Sequence, residues 1–458
     1  MIFQSAKQTA LKQTALKQTA FKQYIVKQVK RACVVIFSAI TLLCAACTDN
    51  TGERSNTADG SYLTKGSYSA KSSYSAEGSN SAKGSAESAD TGPSQFFGAF
   101  SQETENVYMP VSKARPMRLP EDHKSHPEFQ LEWWYLTFVL EDEENNEYGL
   151  QYTLFRFSNA ADSMVKTAWS EPQQWMGHAS FHSKTEHYFE ERLAAGGVGN
   201  AFVKTSPFSA VIDNWSWTSE GASPFPAALA FSINQDVDVA LSLSTHGPFI
   251  KQGESGYSKK TRNEQLRSYY YSQPFIDANG TVTINNQSFN VKGLGWYDHE
   301  WTSHLANDSA MGWDWFSLHL NDGSKLMAFR MHSLDESQVA NNTASDTRRT
   351  QNEIYTTGTY ITKTGKAETL QQNDIHIRPL KRERIVTEKA SDKNNTKHEA
   401  EHSVPTSWEI SIPSKKLKIN VSAFKTGQWN HSLFPYYEGR VSISGTHDGK
   451  GFMELTGY

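Results

Sequence analysis

The densest run of groups that could move a proton is Gly295-Trp296-Tyr297-Asp298-His299-Glu300-Trp301. On a strand, side chains alternate between faces, so Asp298 and Glu300 share one face and His299 and Trp301 the other. Two neighbouring carboxyl groups can split into an acid and a base through their mutual effect on ionisation. The histidine alone could transfer a proton near neutrality. A sheet-edge hydrogen-bond network is the third reading. A zinc-protease helix is excluded, because that motif needs histidines four apart. Here the next histidine after His299 is His304, in a stretch that reads as strand and turn. No metal is expected.

Two further acids head apolar strand faces. Glu132 shares a face with Trp134, Leu136 and Phe138, and Asp314 with Phe316, Leu318 and Leu320. A carboxylate buried alone is costly. Arg156 and Arg330, each reached through the following hairpin, are the natural partners, in pairs that serve either structure or catalysis. His178 shares a face with Met176 and Ser180, as a cavity histidine or a hydrogen-bonded core residue. Tyr269-Tyr270-Tyr271 could offer a hydroxyl to a ligand. Gly253-Glu254-Ser255-Gly256 breaks the spacing of a GxSxG nucleophile elbow, which argues against an α/β-hydrolase. No GxGxxG run sits between a strand and a helix, so no cofactor is expected.

These groups need strands to hold them. The chain has 458 residues, with 12 Trp, 19 Tyr and 24 Phe, an aromatic share that favours sheet over helix. Residues 148–157 alternate as a strand. Trp313–Leu320 and Leu326–Met331 flank Asn321-Asp322-Gly323, a strong hairpin signal. The only ambiguous helical stretch lies in the 190s, around Glu190-Glu191-Arg192. The expectation is an all-β protein. A faint repeat lays Glu132-Trp133-Trp134-Tyr135-Leu136 over Asp314-Trp315-Phe316-Ser317-Leu318, each followed by a strand ending in Phe-Arg. Two related β-barrel domains would give this pattern. Polar, charged stretches at 333–351 and 380–404 read as disordered insertions.

Residues 1–46 carry seven Lys and Arg and no acid, and end in the apolar run Ala32–Ala46. That run is too short to span a bilayer and describes a secretory signal. Cys44-Ala45-Ala46-Cys47 is similar to a lipobox, which would attach lipid to Cys47 and hence the chain to a membrane. Thr48 in place of Asp points to the outer membrane, facing the periplasm. Residues 47–97, rich in Ser, Gly and Ala, read as a disordered tether. Removing the signal takes the formal charge from -4 to about -11, which disfavours nucleic acid as a partner. Three cysteines exclude a disulfide scaffold.

From about His126 to Tyr458 the chain resembles the AttH/CrtC family, bacterial "predicted secreted hydrolases" related to carotenoid 1,2-hydratase. The blocks that carry the resemblance include HPEFQLEWWYLT, Ser268–Pro274, LGWYDHEWTS, MGWDWFSLHLNDGSKLMAFRM and Tyr437-Glu438-Gly439. The resemblance implies two tandem lipocalin-like antiparallel β-barrel domains packed together, at 98–304 and 305–458. It also implies a hydrophobic cavity and acid/base chemistry without a cofactor, either hydration or hydrolysis of a hydrophobic, lipid- or isoprenoid-like molecule. A non-catalytic carrier of such a ligand is the alternative. The matching positions are Glu132, His178, Asp298, His299, Glu300 and Asp314. Asp298 is cast as the acid and His299 as the base or water-orienting group, with Tyr270 and Trp296 shaping the pocket. The oligomeric state is left open.

Overall fold

Aromatic and β-branched residues at alternate positions build two antiparallel sheets. A computed structural model describes residues 108–158, 171–304, 311–333, 354–389 and 398–458. The signal, Cys47, the tether and residues 334–351 of the first insertion lie outside the described residues.

The first sheet contains β1 (Leu131–Asp142), β2 (Glu147–Ser158), β3 (Gln173–His182), β4 (His187–Ala195), β5 (Ala201–Thr205), β6 (Phe208–Ile212) and β7 (Trp215–Ser219). It continues through β8 (Ala227–Ile233), β9 (Val237–Thr245), β10 (Ile250–Lys251), β11 (Tyr257–Lys259), β12 (Arg267–Ile284) and β13 (Gln287–His304). The second contains β14 (Met311–Leu320), β15 (Lys325–Ser333), β16 (Tyr355–Ile361), β17 (Ala367–Leu370) and β18 (His376–Lys389). Its remaining strands are β19 (His398–Ile412), β20 (Leu417–Ala423), β21 (Trp429–Asn430), β22 (Tyr436–Gly445) and β23 (Gly449–Leu455).

Both sheets are wired alike. The first strand pairs with its hairpin partner on one side and with the last strand on the other: β2-β1-β13 in one sheet, β15-β14-β23 in the other. The register places Glu132 opposite Arg156, and Asp314 opposite Arg330. The repeat seen in the sequence is therefore a repeat of topology and of a buried ion pair.

Closure distinguishes the sheets and corrects the expectation of two barrels. The first sheet curls until β4 meets the far side. Asn234, in the β8–β9 turn, donates its main-chain N–H to Glu190 Oε2 at 2.6 Å and its Nδ2 to Phe189 O at 3.0 Å. Arg192 lies over the Trp215 ring at 4.2 Å. It is a nearly closed barrel. The second sheet runs from β17 to β18 without a ladder joining those ends among the described residues, and is an open sheet. Alternation requires only one buried face, which a curved open sheet and a barrel both supply; strand number and stagger decide closure. Two local expectations change as well. Residues 380–389 and 398–404 are the arms of the β18–β19 hairpin rather than loop, and Glu190-Glu191-Arg192 lies in β4 rather than in a helix.

Burial patterns show where the sheets meet. β9 alternates buried and exposed, as a strand with one wet face must. By contrast β1, and β13 from Gly295 to Thr302, are buried on both faces. One face of each fills the barrel. The other packs on β14, β15, β22 and β23 through Tyr135, Tyr270, Trp296, Trp315, Phe329 and Phe452. Arg440 of β22 crosses this seam and donates to Leu140 O at 3.0 Å and Tyr148 O at 3.1 Å. Gly149 leaves room there for the His182 ring, since a Cβ on it would fall 2.1 Å from His182 Nε2, which accepts the Arg440 N–H at 3.1 Å.

Candidate active site

Double-sided burial leaves an unfilled volume. A cavity of about 180 Å³ lies between the sheets. Its walls are aromatic and drawn from both sheets, with Trp133, Tyr135, Phe155 and Tyr270 facing Trp313, Trp315, Phe329 and Tyr436. Asp298, Glu300 and His178 line it from the first sheet, and Glu454 from the second.

Alternation along β13 decides which of the sequence candidates meet. Asp298 and Glu300 face the cavity. Asp298 Oδ1 accepts from Ser272 Oγ at 2.5 Å and Trp296 Nε1 at 2.8 Å. Burial raises the Asp298 carboxyl to about 7, although these hydrogen bonds pull the other way. Glu300 accepts from Ser268 and pairs with Lys260 Nζ at 2.7 Å. The Lys260 ammonium also lies over the rings of Tyr270 and Phe329, at 4.7 and 4.8 Å. Across the cavity Glu454 accepts from Trp313 Nε1 at 2.8 Å, and burial raises it likewise to about 7.

His178 reaches the cavity wall from β3. Its Nδ1 lies 3.0 Å from Tyr436 Oη and its Nε2 2.9 Å from Glu191 Oε2. Burial lowers its affinity for a proton. The ring is tied at both ends.

His299 faces the opposite way, into the barrel, which corrects its pairing with Asp298 as acid and base. Its Nε2 lies 2.8 Å from Glu132 Oε1 and its Nδ1 3.0 Å from Tyr271 Oη. The same Oε1 lies 2.7 Å from His126 Nδ1, while Arg156 Nε donates to Oε2 at 2.9 Å. His126, Glu132 and His299 offer three ligand atoms within 4.8 Å of one another. The arrangement suits hydrogen bonding better than a cation. Separations of 2.7–2.8 Å are those of direct N–H···O bonds, and Arg156 already neutralises the carboxylate. Asp314 is likewise turned away from the cavity: Arg330 donates to it at 2.7 Å and Tyr458 Oη at 2.7 Å. Glu132 and Asp314 thus anchor the interiors of the two halves.

Glu454, Lys260, Arg267 and Tyr436 were not singled out from the sequence. The place of Glu454 emerges only from the strand register. In the ladders Glu300 is opposite Trp133 and Glu454 is opposite Trp315, so the repeat makes the two acids equivalent.

The AttH-like family model matches residues 110–458. The chain belongs to the AttH family. Its AttH fold is shared with an AttH crystal structure from Nitrosomonas europaea, at 24% identity and a TM-score of 0.61, over 76% of this chain and 99% of that one. Kievitone hydratase from Nectria haematococca has the same fold at 14% identity and a TM-score of 0.52, over 76% and 96%. A comparison with curated protein sequences finds no match. No helix among the described residues of this AttH protein is long and apolar enough to cross a membrane.

Proposed function

We propose that this AttH protein is an exported hydratase or hydrolase that works on a hydrophobic molecule held between the two sheets. The observation that carries the reading is a pair of carboxyl groups, Asp298 and Glu454, both raised to about 7 and lining one aromatic cavity from opposite sheets. A carboxyl group raised to about 7 keeps a substantial protonated fraction at neutrality and can act as a general acid. In the hydration form, Asp298 gives its proton to an alkene carbon as the π bond opens. The aromatic faces steady the resulting cation. Water then forms the C–O bond, and its surplus proton passes to a carboxylate lining the same cavity. In the hydrolytic form water forms a bond to the scissile carbon and loses its surplus proton to a carboxylate of the cavity. The bond to the leaving oxygen breaks, and the same acid protonates that oxygen. The kinship in fold to kievitone hydratase supports the first form by analogy.

Native mass spectrometry of detergent-extracted protein exposed to envelope lipids, wild type beside Asp298→Asn, tests this. A molecule found intact on the variant and heavier by one water on wild type is the expected result for hydration; fragments indicate hydrolysis. The same unaltered lipid on both would leave a carrier.

The proposed setting is the cell envelope, with lipid on Cys47 as the attachment to the outer membrane. Cys47→Ser is expected to move the protein from the membrane fraction to the soluble one. Unchanged sedimentation with membranes would dismiss the anchor.

A further inference from the structure

Phe155, Phe157, Met176 and Phe434 form an apolar cluster in the lining, beside His178, whereas Lys260, Arg267, Ser268 and His304 contribute polar groups. Arg267 reaches the lining because the β12–β13 register shifts between Arg267 and Tyr269. Arg267 then pairs with His304, and both Arg267 and Ser268 face the cavity.

The charges of this polar group do not cancel. Lys260 is matched by Glu300 at 2.7 Å. Arg267 donates Nε to Val111 O at 3.1 Å and Nη1 to Glu264 O at 2.6 Å, both uncharged main-chain oxygens. Among the described residues no carboxylate forms an ion pair with it. Beside it, His304 Nε2 accepts the Val111 N–H at 3.1 Å, which fixes the remaining ring proton on Nδ1 as a donor. One guanidinium with no ion-pair partner among the described residues and a neutral N–H donor thus stand together in the lining of a largely aromatic space.

We propose that the cavity selects an amphiphile with a singly charged anionic head, a carboxylate above all, seated at Arg267 with its apolar body between the aromatic walls. A guanidinium matches a carboxylate in shape, and the low dielectric of the walls strengthens the attraction. One net positive charge suits a monoanion better than a phosphate dianion. The proposal rests on the cavity being the substrate site and narrows the substrate class.

Decanoate, decanol and methyl decanoate present three heads on similar chains, and their binding to the full-length protein can be measured by calorimetry. At about pH 6.5 decanoate is ionised while Asp298 and Glu454 remain largely protonated, so repulsion from the acids is small. Decanoate is expected to bind about tenfold or more tightly than either neutral probe, with the advantage shrinking as salt is added. Arg267→Gln is expected to bring decanoate to within about twofold of decanol, and Arg267→Lys to keep part of the preference. Decanol binding and the urea unfolding curve of each variant report whether the cavity is intact. Equal affinity for the three probes, absence of binding, or a preference that survives Arg267→Gln overturns the proposal. A carboxylate preference alongside an unaltered lipid in the mass spectra would retain this inference and reject the enzyme. Turnover of a neutral molecule without acid preference would do the reverse.

Discussion

Asp298→Asn is expected to lower kcat/KM by about 10²–10⁴-fold, the usual contribution of a general acid, while making the protein more stable above neutral pH. Both effects have one cause. Burial lifts the Asp298 carboxyl from 3.8 to about 7, so the folded state holds this proton more tightly than the unfolded chain does. Its stabilising contribution is complete below the unfolded value and is lost as pH rises through about 7. Above that, burying the ionised group costs on the order of 2–4 kcal/mol. Asparagine keeps a similar shape and never ionises. Urea unfolding at pH 5 and pH 8 should therefore show a stability advantage of the variant that is small at the lower pH and clearly larger at the higher. Wild-type activity should decline as pH rises past neutrality. A variant with full activity, or one equally stable at both pH values relative to wild type, would remove Asp298 from the acid's role.

The second large effect is on folding. Arg156→Ala is expected to cost about 3–5 kcal/mol, because it leaves Glu132 buried without its cation. Arg156 is fully buried and also donates to Gln173 Oε1 at 2.6 Å and to His126 O and Phe129 O, each at 2.9 Å. It thereby fastens the segment before β1 to the barrel interior. Lysine would restore the charge but not four directed bonds, so Arg156→Lys should recover little.

The pH dependence of this network has two limbs. His126, Arg156 and His299 hold Glu132 well below the ordinary carboxylate range despite burial, so its contribution is present above about 4.5 and fades as pH falls below that. His126 is shifted upward by Glu132 and Asp122, against burial. Its contribution is present below about 6.5 and fades as pH rises through its folded value. Equilibrium unfolding across pH checks both limbs, and a loss under about 1 kcal/mol in Arg156→Ala would show that the interior tolerates the bare carboxylate.

The periodicity of β1 and β13 made the division of candidates legible before any coordinates. Asp298 with Glu300, and His299 with Trp301, do face opposite ways. The sequence could not show which side was the barrel and which the cavity, because both faces carry aromatic residues and both are buried. His299 was therefore cast beside Asp298, although a strand separates them by its own thickness. The acid–arginine pairs were readable because a lone buried charge demands a partner. Glu454 was not, since a single acid in Phe452-Met453-Glu454-Leu455 looks like a surface residue until β23 is known to be covered. Arg267 depends on a register shift, and nothing local in Arg267-Ser268-Tyr269 encodes it. Closure of the first sheet and opening of the second likewise depend on long-range stagger.

The equivalence of Glu300 and Glu454 bears on how such a site can arise. A half-length chain with one hairpin-and-return sheet would, on pairing with its copy, place the same glutamate twice around a dyad. Two identical acids in one dry space can divide labour only by sharing a proton. Fusion of the halves into one polypeptide frees each copy to change alone. In this chain Lys260 pairs with one acid, while burial raises the other to about 7. Broken symmetry, rather than a new catalytic residue, would then be what gives the two walls of the cavity different chemistry.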